Sequence, residues 1–255
     1  MFTMLPALAL LAAACGGDSG LPETKVFQGP VWSGEESLSY ILVEKGGEID
    51  GTCVLETHPE FEPGRTKLNQ LCGDGGTING EEKPTLHRDD RTATVDAETL
   101  RPISAMRTIS DLEKKQSTTF TSTYTNTEVS LEADVNGKLN SAKRTLPAPT
   151  EDNPDPGYYD DESLFWVIRG IPLEADWEGA YHDINAGNGR IFNVELRVEG
   201  QKRVTVPAGT FDTWEIRLKT NSIVQHFWVE REAPHRVIQA EIERITYKLV
   251  DAAGQ

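Results

Sequence analysis

The sequence predicts an all-β fold, a meander of about ten strands with one short helix inserted before the C-terminal strands. Apolar and polar residues alternate with a period of two wherever a period is clear, as in the segment where Trp214, Ile216 and Leu218 share one face. Asn136-Gly137 has the composition of a tight hairpin turn. The threonine-rich segment 117–131 favours a pleated strand and disfavours a helix.

The remaining strands follow from the same alternation, with turn-forming residues between them. In Pro207-Ala208-Gly209-Thr210, proline fixes φ at the first turn position and glycine supplies the left-handed conformation. The alternation predicts strands over residues 37–43, 49–56, 91–95, 103–109, 117–131, 138–146, 190–198, 203–206, 211–220, 223–230 and 236–248. In the last of these the apolar phase slips near Glu243-Arg244, which predicts a bulge or bend.

One segment departs from this pattern. Acidic residues 160–162 precede an apolar stretch that ends at Gly170, and Leu164, Phe165 and Ile168 fall on one helical face. Acidic residues in the first turn and a terminal glycine are typical of a short helix.

The N-terminus predicts an exported, lipid-anchored protein. Residues 5–14 form an apolar run of ten residues, too short for the ~20 that span a bilayer, and they end in small residues, as a signal peptide does. Leu11-Ala12-Ala13-Ala14-Cys15 resembles the lipobox of bacterial lipoproteins, in which the cysteine is diacylated after cleavage. Met1 to Met4 contain no Lys or Arg, so the usual positive segment is absent or the start lies elsewhere. The alternative is a secreted protein with an ordinary signal and an incidental cysteine.

We therefore predict a signal peptide (1–14), a flexible tether (15–30), a single β domain (31–250) and a disordered tail (251–255). The lipid on Cys15 would attach the domain to the cell membrane or outer membrane, facing the extracytoplasmic side. The formal net charge of −16 excludes nucleic acid as an expected partner, because phosphate backbones would repel such a chain.

Cys53 and Cys72 are predicted to form a disulfide, since an exported chain meets oxidising conditions. The residues between them, 58–64 in particular, have the composition of a loop. Two separate thiols are the alternative. A zinc site is not expected, because there is no Cys-x-x-Cys and the histidines lack ligand spacing.

Other candidate sites are weaker. The acidic stretch from Asp152 to Glu162 and the loop from Asp183 to Gly189 both suggest calcium, but neither has EF-hand spacing, so a solvated loop and a glycine-rich hairpin are favoured. His226 and His235 are interpreted as surface or cross-strand residues. No Gly-x-Ser-x-Gly elbow is present. We predict no catalytic residue, metal ligand or cofactor.

The C-terminal part resembles a bacterial envelope family known as a domain of unknown function, number 3108. The likeness rests on the Pro207-Ala208-Gly209-Thr210-Phe211 hairpin, Phe227-Trp228-Val229, Pro234 to Val237, and Tyr247-Lys248-Leu249. It implies a strongly curved antiparallel sheet, a half-barrel or open barrel akin to periplasmic lipoprotein carriers, and it brings no catalytic residues.

These features together predict a non-enzymatic lipoprotein whose concave sheet would hold a lipid or another hydrophobic small molecule. Trp166, Trp214, Phe227 and Trp228 are the predicted lining residues. The alternatives are a structural or adhesive module with a filled core, and an exported hydrolase. An open cavity would favour the binding protein. A packed interior would favour the structural module. A cleft with converging polar groups of perturbed pKa would favour the hydrolase.

Overall fold

The computed structural model describes residues 20–78, 80–221 and 223–253. The described residues form seventeen strands, a one-turn 3₁₀ helix (Asp161–Ser163) and one α-helix, α1 (Leu164–Arg169). The strands are β1 (Glu36–Glu44), β2 (Ile49–Glu62), β3 (Arg65–Gly73), β4 (Gly76–Ile78), β5 (Glu81–Lys83), β6 (His87–Asp96), β7 (Pro102–Asp111), β8 (Gln116–Tyr124), β9 (Glu128–Val135), β10 (Lys138–Thr145), β11 (Tyr158–Asp160), β12 (Glu178–Ile184), β13 (Ile191–Val206), β14 (Gly209–Thr220), β15 (Ile223–Glu230), β16 (Val237–Ile242) and β17 (Ile245–Ala253).

Fifteen of these strands form one sheet, in the order β10-β9-β8-β7-β6-β3-β2-β1-β17-β16-β15-β14-β13-β12-β11. Every neighbouring pair is antiparallel except β11 and β12, which are parallel. The curved antiparallel sheet with one short helix is confirmed. The strand number is higher than predicted mainly because β3, β4, β5, β11 and β12 were not predicted. Two predicted strands are each two, since the threonine-rich segment is β8 and β9 and a turn at Glu243-Arg244 separates β16 from β17, whereas the predicted segments 190–198 and 203–206 are one strand, β13.

The sheet curls until its two ends meet, but no main-chain pairing joins β10 to β11. Side chains close the gap. Tyr124 on β8 and Leu131 on β9 pack with Tyr158 on β11 and Ile184 on β12 in a separate apolar cluster. We call this contact between the two ends of the sheet the seam.

Helix α1 lies inside the curled sheet. Its residues 165–169 are all buried. The Phe165 ring contacts Tyr40 of β1, Phe227 of β15 and Tyr247 of β17, at centroid distances of 6.3, 5.8 and 5.3 Å. The helix therefore forms the core around which both halves of the sheet pack.

The curled sheet also has two ends along the direction of its strands, distinct from the edges that meet at the seam, and these two ends differ. The turns after β1, β7, β14 and β16 lie at one end, which we call the cavity end, and the turns after β2, β13 and β15 lie at the other, the helix end. Arg169, the last residue of α1, donates hydrogen bonds to the carbonyls of Pro234 and His235 in the turn after β15. Helix α1 thus closes the helix end.

The predicted tether is shorter than expected. Glu23 and Thr24 form bridges to Ala180 and Pro156, and Val26 and Phe27 are buried. Phe27 packs so closely on Gly170 that a Cβ there would lie 2.2 Å from the ring, which explains the glycine at the end of α1. The predicted tail is also shorter, because residues 251–253 belong to β17. The predicted signal peptide and Cys15 lie outside the described residues.

The disulfide between Cys53 and Cys72 is present. The two residues are direct partners on β2 and β3, with Cα atoms 4.0 Å apart. The prediction of a loop between them was wrong, because residues 58–62 continue β2 and only a tight turn around Gly64 separates the strands. The disulfide therefore links neighbouring strands of one hairpin.

Candidate cavity inside the curled sheet

A cavity of about 520 Å³ occupies the interior between α1 and the cavity end. Strand alternation produces it, since the inward-facing residues of β3, β6, β7 and β12 to β17 point to one interior. Its walls are formed by Gln70, Arg91, Arg107, Asp161, Leu164, Phe165, Tyr181, Asp183, Asn185, Phe192, Val194, Leu218, Thr220, Asn221, Ile223, Gln225, Ile242, Glu243, Ile245 and Tyr247. Its volume falls within the ~300–1,000 Å³ typical of small-molecule sites.

None of the four predicted lining residues belongs to these walls. Trp166 is buried in the core below the cavity, where its Nε1 donates a hydrogen bond to Thr57 Oγ1 at 2.7 Å. Phe227 is fully buried under Phe165. Trp214 is paired with Val229 toward the helix end, away from the cavity. Trp228 faces the outer side of the sheet, where the ammonium of Lys202 lies 4.9 Å from its ring.

The aromatic residues that do line the cavity are Phe165, Tyr181, Phe192 and Tyr247. Phe165 was predicted to lie on the apolar face of the helix, and Phe192 falls in the predicted strand 190–198. Alternation can show whether a strand residue points inward, but whether it reaches the cavity depends on the register of the whole sheet.

The polar wall of the cavity is built around one aspartate and two arginines. Asp89 accepts hydrogen bonds from Arg107 Nε and Nη2, both at 2.8 Å, and from Arg91 Nη2 at 2.7 Å. Arg91 and Arg107 are direct partners on β6 and β7. Burial tends to raise the pKa of Asp89, but the hydrogen bonds from Arg107 and Arg91 and the charges of both guanidinium groups hold it below its usual range.

Three consecutive acids face these arginines. Asp160 caps the 3₁₀ helix by accepting from the Glu162 backbone N–H at 3.0 Å. Asp161 accepts from Asn185 Nδ2 at 2.7 Å and from the Ala186 N–H at 3.1 Å. The Glu162 side chain is fully buried, and Arg91 Nη1 lies 3.2 Å from its Oε2.

The interpretation of residues 152–162 as a solvated loop is therefore wrong at its end. The last three residues are buried or half-buried because α1 is inserted into the sheet and draws its first turn inside. Residues 156–159 before them are buried as well, whereas Asp152 and Asp155 are exposed as predicted. The loop from Asp183 to Gly189 is the predicted connection between two strands, and it also supplies the donors to Asp161.

Burial raises the pKa of each acid in this group. The pKa of Asp160 is raised to about 7, first by burial and then by repulsion from Asp161, while the Tyr124 hydroxyl opposes the rise. Burial also raises the pKa of Asp161. The pKa values of Glu162 and Asp183 lie well above their ordinary ranges, by burial and then by repulsion from Asp161. The site thus contains several carboxyl groups whose pKa values are raised by burial.

Two groups of side chains among the described residues have carboxylate or imidazole atoms within 4.8 Å of one another. One is Asp160, Asp161 and Glu162, beside the cavity. The other is Glu199, Glu215 and His226, on the outer face of the sheet. His226 is the cross-strand residue that the sequence predicted, since its Nδ1 lies 3.7 Å from Glu215 on the neighbouring strand. His235 is held by the backbone carbonyl of Glu230, 3.0 Å from its Nδ1.

Exposed apolar side chains gather at the cavity end. Ile109 and Leu112 lie at the end of β7, and Ile223 and Val224 begin β15. Leu86, Val135 and Leu139 lie at the same end, and Leu139 is 72% exposed. We call these seven residues the apolar rim. In the part of the chain that the structure describes, neither helix combines the length and apolar character needed to cross a bilayer.

The family model described as "Protein of unknown function (DUF3108)" matches residues 77–248 of this chain. No curated protein matches the chain significantly in sequence.

Solved structures similar to this chain include a beta-barrel-like protein of domain of unknown function DUF1849 from Brucella abortus. It has a TM-score of 0.52 and 11% identity, and the match covers 91% of this chain and 99% of that chain. A candidate exported protein with a YmcC-like fold from Bacteroides fragilis has a TM-score of 0.31 and 11% identity, with 90% and 100% covered. A candidate lipoprotein from Parabacteroides distasonis has a TM-score of 0.30 and 10% identity, with 89% and 99% covered. The first likeness supports the barrel-like fold, and at its identity it concerns the fold alone.

Proposed function

The chain belongs to the DUF3108 family of unknown function, and from this premise we propose that it is a non-enzymatic binding protein that holds a small amphipathic molecule inside its curled sheet. The observation that carries the proposal is the cavity of about 520 Å³ between α1 and the cavity end. A module with a purely structural role has no use for this space, because protein interiors are normally close-packed. An interior left open is better explained by a ligand.

The composition of the walls supports an amphipathic ligand. Leu218, Ile223, Ile242 and Ile245 form an apolar side, and Arg91, Asp161 and Asp183 contribute to a polar side. Ligand sites of this kind combine mostly apolar walls with a few polar groups that fix orientation. The apolar rim lies at the same end as the cavity, where an apolar molecule would enter from a lipid surface.

We also propose that a diacylated Cys15 attaches the protein to the extracytoplasmic face of the cell membrane or outer membrane. The support is the apolar run with small residues directly before Cys15. Two acyl chains suffice for stable attachment at ~0.8 kcal/mol per buried methylene. Mass spectrometry of the N-terminal peptide from the native host tests this proposal: a mass lacking both acyl chains would contradict it, and Cys15→Ser should release the protein from the membrane fraction.

The binding proposal is tested at the mouth of the cavity. Ile223 lines the cavity and is half exposed, so Ile223→Trp should obstruct it without disturbing the core. Val224 is the next residue, similarly exposed and not part of the walls, so Val224→Trp is the matched control. Native mass spectrometry of protein purified from membranes should show a bound small molecule in the unaltered chain and in Val224→Trp, and much less in Ile223→Trp. Equal occupancy in both variants, or an empty unaltered protein, would favour the structural module instead.

One observation favours a second candidate, an exported hydrolase. Asp161 and Asp183 both line the cavity and both have raised pKa values, as an acid–base pair would need. Assays with nitrophenyl esters and glycosides test this candidate. Hydrolysis by the unaltered protein that is abolished in Asp161→Asn would establish an enzyme. If the unaltered protein hydrolyses no faster than the variant, the binding protein is favoured.

A further inference from the structure

The polar wall of the cavity contains more acidic than basic groups. Asp161 and Asp183 face the cavity together with Arg91 and Arg107. Asp89, Asp160 and Glu162 lie directly behind them. Glu243 also lines the cavity, so within the described residues six carboxyl groups lie in or behind its walls against two guanidinium groups.

Both arginines already bind acids of the chain. Arg107 forms two hydrogen bonds to Asp89, each 2.8 Å long. Arg91 binds Asp89 through Nη2 at 2.7 Å and meets Glu162 through Nη1 at 3.2 Å. Because paired, bidentate contacts of this kind are strong, neither arginine is readily available to an anionic ligand.

Asp183 has no such partner. In the described part of the chain its carboxylate takes part in no hydrogen bond and no ion pair, although Asp183 lines the cavity. Its direct neighbours in the sheet are Phe192 on β13 and Tyr159 on β11, and neither is basic. Asp161, Asp160 and Glu162 all repel its charge.

Glu162 provides a second sign of a missing positive group. Its side chain is fully buried, and neither carboxylate oxygen accepts a hydrogen bond. Its close cationic neighbour is Arg91, which is shared with Asp89. Glu162 lies behind the cavity wall and does not line it, but its charge acts on Asp183 together with the charges of Asp160 and Asp161.

We propose that the cavity binds an amphipathic amine, whose ammonium group donates hydrogen bonds to Asp183 and whose apolar part lies along Leu218, Ile223 and Ile242. The inference rests on the proposed function, because it assumes that the cavity holds a ligand. A protonated amine supplies the donors that the chain lacks, and the apolar wall opposite accepts a hydrocarbon segment.

An inorganic cation fits this wall less well. Both oxygens of Asp161 already accept hydrogen bonds, from Asn185 and from the Ala186 N–H. Calcium needs six to eight oxygen ligands, and the apolar wall provides none.

Three probes with the same chain length test the proposal: dodecylamine, dodecanol and dodecanoate, each below its micelle concentration at neutral pH. Isothermal titration of the full chain should give an affinity for dodecylamine about tenfold higher than for the other two, as expected for a charge-assisted pair. Asp183→Asn should remove this preference and leave the binding of dodecanol unchanged. Asp183→Glu should retain it.

Two controls separate this site from adsorption to an acidic surface. Asp251 is exposed on β17, and Asp251→Asn should leave the affinity for dodecylamine unchanged. Ile223→Trp should weaken the binding of every probe that enters the cavity.

The possible failures are distinguishable. If none of the three probes binds, the proposed function fails with the inference. If dodecanol and dodecanoate bind as tightly as dodecylamine, or if Asp183→Asn has no effect, the inference alone is overturned. Binding of calcium chloride that competes with dodecylamine and is lost in Asp183→Asn would assign the site to an inorganic cation and also overturn it.

Discussion

The hydroxyl of Tyr124 on β8 donates a hydrogen bond to the carboxylate of Asp160 on β11, so that a polar side-chain contact spans the seam between the two ends of the sheet. Ser122 donates to the same oxygen at 3.3 Å. The same carboxylate caps the 3₁₀ helix that precedes α1. One acid therefore couples the closure of the sheet to the insertion of the helix.

Tyr124→Phe should destabilise the protein by about 2 kcal/mol, the usual contribution of a hydrogen bond to a charged group. The phenyl ring would still fill its place in the seam cluster, so the loss reports on the hydroxyl. Urea unfolding followed by tryptophan fluorescence measures it. Tyr158→Phe is the matched control, because this tyrosine belongs to the same cluster and its main polar contact is Arg101 above its ring. Equal losses in both variants would show that the hydrogen bond across the seam is unimportant.

The stability of the protein should fall as the pH rises from about 3.8 to about 7, since this is the interval between the ordinary and the raised pKa of Asp160. A raised pKa means that the folded state binds the proton more tightly than the unfolded state does, so stability is present at low pH and is lost as the pH passes the folded pKa. Asp161, Glu162 and Asp183 act in the same direction.

Urea unfolding at about pH 5 and about pH 8 measures this effect. Asp160→Asn should make the difference between the two pH values smaller without removing it, because three other acids remain. In Asp111→Asn the difference should persist, since hydrogen bonds from Lys114 lower the pKa of Asp111 and this residue is ionised at both pH values. A protein more stable at pH 8 than at pH 5 would contradict the interpretation of the acidic group as buried.

The disulfide between Cys53 and Cys72 should stabilise the fold by about 3 kcal/mol, as loop closure predicts for its sequence separation of 19 residues. Unfolding in urea with and without a reductant measures the contribution. The double variant Cys53→Ala/Cys72→Ala should match the reduced protein and should not respond to the reductant. An unaltered protein that is insensitive to reduction would show that this bond contributes little.

Local features of the chain were predictable from sequence because they depend on neighbours in the chain. Alternation in β14 identified the inward face of Ile216 and Leu218, and the acidic residues before Leu164 identified the start of the helical segment. The same alternation places Phe227 and Trp228, which are adjacent in β15, on opposite faces of the sheet, so they cannot both face the cavity.

The cavity itself could not be predicted in this way. Asp161 and Asp183 belong to different elements, and they line one cavity only because α1 is inserted into a sheet that curls on itself. Three adjacent acids after a proline-rich segment have the composition of a solvated loop, and nothing local reveals that they are enclosed. The three acids are buried because fifteen strands pair in a register that curls the sheet around them.

Arg169 and Glu36 form a buried ion pair at the helix end, and Arg169→Met should destabilise the fold by about 3–5 kcal/mol because it leaves the carboxylate of Glu36 unpaired. The Arg169 guanidinium meets the two carboxylate oxygens of Glu36 at 2.5 and 3.0 Å, and both side chains are almost inaccessible to solvent. Glu36→Leu/Arg169→Met should be less destabilised than Arg169→Met alone, since it removes both charges. It should not regain full stability, because Arg169 also satisfies the carbonyls of Pro234 and His235. Urea unfolding of the two variants and the parent decides the point: a double variant less stable than Arg169→Met would mean that the pair is not what fixes α1 to the first strand.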